Sequence, residues 1–143
     1  MTVGRILAAK GRDVVTIQPH SSVSDAAALL ARKGIGALIV VDAEMRVRGV
    51  FSERDLVRLL ATRGAAALQE PVGDWVTLNV VTTCERASVH SLMEQMTEGR
   101  FRHLPVMEGE RIVGIVSIGD VVKQRLAEME QEQQAMREYI ASA

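Results

Sequence analysis

The sequence predicts an α/β protein built from two copies of one β-α-β-β-α unit. The segment Val14–Thr16 recurs 66 positions later as Val80–Thr82, and the motif Ser52–Asp55 recurs 65 positions later as Ser117–Asp120. A single one-residue deletion therefore aligns the two halves. A unit of this length needs a neighbour to bury its apolar faces. We therefore expect the two copies to pack about a pseudo-twofold axis, with a cleft between them as the natural place for a ligand.

The elements of the first repeat follow from its apolar spacing. Val14–Ile17 is a short β-branched run, and apolar residues at helical spacing after Ser22 predict a helix that Gly34 ends. The continuous apolar run Ala37–Val41 indicates a strand that is covered on both faces. In chain order, the predicted elements are a strand at 14–17, a helix at 23–31, strands at 37–41 and 47–51, and a helix from 53 to about 63.

The second repeat follows the same plan, and each repeat begins with a short lead-in helix. Val72–Val76 resembles Val3–Leu7, and Gly109 marks the turn between the two later strands. The predicted organisation is a first repeat at 3–63, a linker at 64–71, a second repeat at 72–126 and a helical tail at 127–143.

The tail carries an apolar stripe of the coiled-coil type, with spacings of four and three residues. It is either one long terminal helix packed on its own domain or a helix exchanged across a homodimer. The stripe consists of Val122, Leu126, Met129, Gln133, Met136 and Ile140.

Composition narrows the class of protein. A formal net charge of −1 gives no electrostatic case for nucleic-acid binding, which requires many Lys and Arg on one face. The single cysteine, Cys84, excludes an internal disulfide, and we expect it to be a small apolar filler. The histidines show no metal-ligand spacing, and no apolar run approaches the length of a membrane span. We therefore expect a cytoplasmic protein without a metal.

The two Ser-x-x-Asp motifs are the strongest candidates for chemistry. Each lies where a predicted strand ends and a helix begins, and a helix N-terminus presents free N–H groups that suit a phosphate. The serine hydroxyl can donate to a phosphate oxygen, and the aspartate can accept from the ribose hydroxyls. The alternative is plain helix capping. The recurrence of the motif at the same place in both repeats favours a functional role.

Arg102 and His103 open a strand that is otherwise apolar, and Gly36 and Ala37 stand at the matching positions of the first repeat. The forked guanidinium of Arg102 suits a phosphate clamp. The alternative is that both residues are satisfied polar groups at a strand end. A threonine also closes the first strand of each repeat and either contacts the ligand or forms a turn: these are Thr16 and Thr82.

Together these segments resemble the cystathionine β-synthase domain, or CBS domain, and the pair resembles a Bateman module. The resemblance covers Val3 to about Val122. The chain is similar to a stand-alone bacterial subfamily that consists of the module alone. It implies two pseudo-symmetric clefts that bind an adenine nucleotide. AMP is the first expectation, and ADP, ATP, NAD(H) and S-adenosylmethionine are the others.

In the family, each cleft takes its Ser and Asp from one repeat and its base-facing strand ends from the other. Carried over, the first site comprises Thr16, Gly36, Ala37, His103, Ser117, Gly119 and Asp120. The second site comprises Ser52, Arg54, Asp55, Thr82 and Arg102. We expect the first site to be tighter, because Gly119 lets the backbone approach the ligand closely and Glu53 brings negative charge to the second.

The sequence carries no nucleophile–base pairing, phosphate loop or nucleophile elbow, so we expect a protein that is not an enzyme. The resulting prediction is a regulatory sensor, in a homodimer, that reports energy or redox state to an unidentified partner protein. The alternative is an interaction or scaffold protein whose ligand clefts are vestigial. Ligand-induced stabilisation distinguishes the two.

Overall fold

The computed structural model describes residues 1–76, 81–99 and 101–142. The predicted strand-helix-strand-strand-helix order of the first repeat is confirmed, after a lead-in helix α1. Gly34 ends helix α2 in the left-handed conformation, as predicted. The elements are α1 (Val3–Lys10), β1 (Thr16–Ile17), α2 (Val23–Lys33), β2 (Ala37–Val41), β3 (Val47–Ser52) and α3 (Glu53–Arg63).

Two 3-10 helices, Ala65–Gln69 and Val72–Trp75, connect the repeats, and the second of them stands where the lead-in helix of the second repeat was predicted. The elements that follow are α4 (Val89–Gly99), β4 (His103–Glu108), β5 (Arg111–Ser117) and α5 (Ile118–Ser142). Val80, in the predicted first strand of this repeat, lies outside the described residues. Thr83 forms a parallel bridge to Val106.

The two sheets repeat the same register. β1 runs parallel to β2, which pairs antiparallel with β3, and the register shifts between Val40 and Val41. β4 pairs antiparallel with β5, and the register shifts at the corresponding place, between Val106 and Met107. Ala37 faces Ser52 in the first hairpin as His103 faces Ser117 in the second. The hairpins therefore deliver both Ser-x-x-Asp motifs in equivalent positions.

Each lead-in segment packs into the core of the other repeat. Val3, Ile6 and Leu7 of α1 are buried in the cluster formed by α4, β4 and β5. Val72 is buried in the cluster of α2, β2 and β3. Since each core is completed by a segment from the opposite half, the two repeats fold as one module.

Matching backbone hydrogen bonds hold the exchanged segments. Val3 N–H donates to Ala87 O at 2.9 Å, and Val72 N–H donates to Ser21 O at 2.7 Å. One residue later, the N–H groups of two glycines repeat the pattern: Gly4 donates to Glu85 O at 3.0 Å, and Gly73 donates to Pro19 O at 2.9 Å. The resemblance between the two lead-in sequences therefore reflects the same role in the fold.

α5 is one continuous helix that extends past the second repeat. Val121 is buried in the core, but every residue from Met129 to Ser142 is exposed. Within the chain, the end of the tail therefore does not pack on its own domain. None of the described helices combines the length and the hydropathy that a bilayer crossing requires.

Cys84 differs from the expectation. It is exposed rather than a buried apolar filler. Its neighbour Thr83 is buried instead, because the parallel bridge to β4 turns that side chain inward.

Candidate functional site

The starts of α3 and α5 are built alike. The Ser52 side chain accepts from Asp55 N–H at 3.2 Å, and Asp55 Oδ2 accepts from Ser52 N–H at 2.8 Å. Ser117 and Asp120 repeat these contacts at 3.1 and 2.8 Å. Each motif is therefore a capping box, as the capping interpretation predicted. Capping leaves room for a ligand role because a carboxylate has about four acceptor positions.

Each helix start is also tied to the opening of the neighbouring strand. Glu53 N–H donates to Gly36 O at 3.0 Å, and Ile118 N–H donates to Arg102 O at 2.8 Å. These bonds fix the residue that precedes β2 to the start of α3, and the residue that precedes β4 to the start of α5. A ligand at this end of the module meets both elements in fixed positions.

A cavity of about 540 Å³ lies between the repeats at this end. Its volume falls in the usual range for small-molecule sites. Its wall includes the starts of α3 and α5, the residues that begin or precede β2 and β4, and the apolar residues Val50, Val81 and Phe101.

Three arginines face this cavity: Arg54 and Arg58 on α3, and Arg102 before β4. All three are exposed, and within the described part of the chain none of them forms an ion pair. Glu53 and Asp55 are the carboxylates of the same wall. Guanidinium groups without a carboxylate partner are available to bind an anion.

His103 lies half-buried in the same wall. Burial lowers its pKa below the usual range, and the charges of Lys10 and Arg102 lower it further. The carboxylates of Asp120 and Glu53 act in the opposite direction without reversing the shift. The imidazole is therefore mostly neutral at pH 7 and can gain a proton when negative charge enters the cavity.

Asp120 differs from Asp55 in having an internal cation. Lys10 Nζ lies 2.7 Å from Asp120 Oδ2 and donates to Ile115 O at 2.9 Å. Burial acts to raise the pKa of Asp120, but the bonds from Lys10 and Ser117 together outweigh it and lower the pKa. Asp120 is therefore ionised and paired at neutral pH.

Eight of the twelve predicted site residues line a single cavity. Residues of both predicted sites line it: Gly36, Ser52, Arg54, Asp55, Arg102, His103, Ser117 and Gly119. The remaining four do not line the cavity. Thr16 pairs with Ile39 in the sheet, Ala37 is buried, Asp120 is turned to Lys10, and Thr82 lines a separate open groove beside Cys84.

Sequence reasoning missed Arg58 and Lys10. Arg58 stands one turn after Arg54, a helical spacing that places both on one face and could have revealed it. Lys10 has no such signal, because it is 110 positions from its partner.

The CBS domain family matches the chain twice, over residues 4–62 and 72–127. The CBS-domain containing protein ATU1752 from Agrobacterium tumefaciens is 51% identical, with a TM-score of 0.84 over 87% of this chain and 92% of its own. CBSX2, solved in complex with AMP, is 28% identical, with a TM-score of 0.71 over 81% of this chain and 90% of its own.

A relative of known sequence gives the same assignment. The mitochondrial CBS domain-containing protein CBSX3 of Arabidopsis thaliana is 30% identical over 97% of this chain and 71% of its own length. The stand-alone neighbours share the paired arrangement of the repeats. The chain therefore belongs to the CBS domain family and is a pair of CBS repeats followed by a long C-terminal helix.

Proposed function

We propose that the chain is a non-catalytic regulatory module that binds an adenine nucleotide in the cavity between its CBS repeats. The observation that carries the proposal is the convergence of two helix N-termini and three arginines on one cavity. The AMP complex of the related CBSX2 supports adenine as the base.

The proposed binding position of the nucleotide is the α3 side of the cavity. The phosphate would lie against the start of α3, where the guanidinium groups of Arg54 and Arg102 supply charge-assisted donors. Asp55 would accept from the ribose hydroxyls through Oδ1, because its capping bonds use Oδ2. The adenine would lie on the apolar side formed by Val50, Val81 and Phe101.

The charge of the wall orders the candidate ligands. Arg54, Arg58 and Arg102 favour a ligand with one or more phosphates. S-adenosylmethionine carries a sulfonium cation, which these arginines would repel. AMP is the smallest of these ligands that supplies both the phosphate and the ribose diol. ADP and ATP add further negative charge, and NAD(H) presents a diphosphate.

Sensing would follow from the shared cavity. Its wall comes from both repeats, so a ligand that contacts both would stabilise one relative arrangement over others. We place the readout on a regulated partner protein and on a homodimer that pairs through the exposed stripe of α5. These assignments rest on the surface that α5 leaves uncovered.

A thermal-shift and calorimetric series with AMP, ADP, ATP, NAD⁺, NADH and S-adenosylmethionine tests the proposal. A ligand at 100 times its Kd adds about 2.7 kcal/mol to the free energy of unfolding, a rise in Tm of about 9 °C for a domain of this size. We expect a selective rise with the phosphate-bearing adenylates and no turnover of the bound nucleotide. A flat series would overturn the sensor proposal and favour a scaffold with vestigial clefts.

A further inference from the structure

The two halves of the module differ at one carboxylate in a way that their shared plan does not require. Both helices begin with a Ser-x-x-Asp capping box of nearly equal geometry. Asp120 also receives the ammonium of Lys10 at 2.7 Å, whereas Asp55 forms no ion pair within the described residues. Lys10 therefore makes the two capping boxes unequal.

Lys10 is held in place by the fold rather than by the contact alone. It is the last residue of α1, whose Ile6 and Leu7 are buried in the core of the second repeat. Gly11 ends this helix and donates its N–H to Leu7 O. The C-terminal end of a helix favours a cation, and Nζ has a second acceptor in Ile115 O. The ammonium is thus positioned over Asp120 before any ligand arrives.

The sequences of the two lead-in segments differ at the position of this cation. Lys10 stands seven positions after Val3, and Asn79 stands seven positions after the equivalent Val72. Asn79 lies outside the described residues, but the residue type alone carries no charge. The first lead-in therefore brings a cation to the second repeat, whereas the sequence of the second lead-in, residues 72–79, contains no Lys or Arg.

The ion pair competes with the role proposed for Asp55. Lys10 and Ser117 N–H both bond to Asp120 Oδ2, so Oδ1 stays outside these bonds in Asp120 as it does in Asp55. The two carboxylates differ in charge pairing and in whether they line the cavity. Asp120 is neutralised by Lys10 and does not contribute to the cavity wall, although its neighbours Ser117 and Gly119 do. The side chains of Lys10 and Asp120 are 33% and 21% exposed, so solvent can reach the pair and the contact can open.

We propose that Lys10 closes the second of the two pseudo-symmetric nucleotide sites, so that the unaltered module binds one nucleotide, at Asp55, and a second site at Asp120 opens only when Lys10 is withdrawn. This inference rests on the proposed function, since it concerns the same ligand class. Lys10 acts as a positioning residue, because its ion pair with Asp120 determines whether the module has one nucleotide site or two.

Calorimetric titration of the full chain with AMP tests the proposal. We expect one site in the unaltered protein and two in Lys10→Met, which keeps the apolar stem and removes the ammonium. Lys10→Arg retains a cation and should keep one site. The double variant Lys10→Met/Asp120→Asn should return to one site.

Lys33→Met is the matched control. Lys33 also ends a helix directly before a glycine, but it forms no ion pair within the described residues. This variant should keep one site. Circular dichroism of every variant checks that the fold is retained.

A second experiment isolates the new site. Asp55→Asn alone should bind AMP at least 10-fold more weakly, and Lys10→Met/Asp55→Asn should regain one site. Two sites in the unaltered protein, or one site in Lys10→Met, would overturn the role of Lys10. A complete lack of AMP binding by the unaltered protein would instead overturn the proposed function, which is a distinguishable result.

A readout that needs no nucleotide also tests the contact. Carbon NMR of the Asp120 carboxyl should show its pKa rising toward the ordinary value in Lys10→Met. The variant removes the hydrogen bond from Lys10, which is the largest of the effects that lower this pKa. An unchanged titration would show that Lys10 does not hold Asp120 in solution.

Discussion

The imidazole of His103 packs against Gly36: a β-carbon at residue 36 would lie 3.3 Å from Nε2 and 3.4 Å from Cε1. The two residues belong to different repeats, so this contact joins the two strand openings across the module. A larger side chain at 36 would displace the imidazole. The contact holds His103 beside the cavity, where it meets the charges of Glu53, Asp120, Lys10 and Arg102.

The burial of His103 makes the stability of the free protein depend on pH. Burial lowers the pKa of His103 below its ordinary value of 6.5. Below pH 6.5, the unfolded chain therefore binds a proton that the folded protein resists, and the free energy of unfolding falls as the pH falls toward the folded-state pKa. We expect His103→Gln to flatten this loss in urea titrations between pH 7 and 5.

His90→Gln is the control for that measurement. His90 is exposed on α4 beside Glu94, and its replacement should leave the loss in place. Asp120 does not contribute to the loss of stability between pH 7 and 5. Its pKa is lowered from 3.8, so its contribution to the free energy of unfolding is lost only at more acidic pH. An equal pH slope in His103→Gln and the unaltered protein would refute the assignment.

Asp55→Asn should weaken AMP binding by about 10- to 100-fold, because a hydrogen bond to a charged group is worth about 1.5–3 kcal/mol. The amide oxygen can still accept from Ser52 N–H, so stability should change little. Asp120→Asn should have a much smaller effect, since Lys10 already neutralises that carboxylate and Asp120 does not line the cavity. Calorimetry measures both.

Asp25→Asn is a matched control for Asp55, because it lies at the same position of helix α2 and away from the cavity. It should leave the affinity unchanged. Equal affinities for Asp55→Asn and Asp25→Asn would remove the ribose role of Asp55.

Arg102→Ala should weaken AMP binding by about 10-fold and leave adenosine binding almost unchanged, because the guanidinium is proposed to contact the phosphate. The dependence of the AMP affinity on salt should also become shallower in this variant. Arg111→Ala is the control, since Arg111 is exposed at the start of β5 and outside the cavity wall. A parallel loss of adenosine and AMP affinity would argue against a phosphate contact.

Gly73→Ala should destabilise the module by about 1–3 kcal/mol, the usual cost of overpacking. A β-carbon at this position would lie 2.7 Å from Pro19 Cβ and 2.9 Å from Pro19 O, inside the exchanged lead-in contact. Gly119→Ala is the contrast, because its new carbon would meet only Ser117 Oγ, at 3.6 Å. Urea denaturation should find Gly119→Ala as stable as the unaltered protein or slightly more stable. Equal stabilities would mean that the lead-in contact is loose.

The internal repeat made most of the fold predictable. Gly34 as a helix stop and Ser52 as a cap are local signals, and the structure confirms both. Their recurrence in the second half fixed the order of the elements there. The stacking of the repeats about one cavity followed from the need of each unit to bury its faces.

Other features have no local signal. The stripe of Val3, Ile6 and Leu7 has the same pattern whichever core it enters, so its exchange into the second repeat was not predictable. The pairing of Lys10 with Asp120 joins distant positions without periodicity. The Ser-x-x-Asp motif and the resemblance both assigned Asp120 to a ligand, and neither carries a signal of its internal partner Lys10.

The stripe on α5 should mediate self-association. Leu126, Met136 and Ile140 are 55%, 59% and 66% exposed in the single chain, although burial of such a side chain is worth about 1.5–3 kcal/mol. The substitutions Leu126→Gln, Met136→Gln and Ile140→Gln together should convert a dimer to a monomer at micromolar concentration, as measured by light scattering. The helix itself should persist, because glutamine is a good helix former. Ala127→Gln with Ala135→Gln adds glutamines away from the stripe and should leave the mass unchanged. If the triple variant keeps the mass of the unaltered protein, the stripe does not form the contact between copies, and the exposed end of α5 must serve another partner.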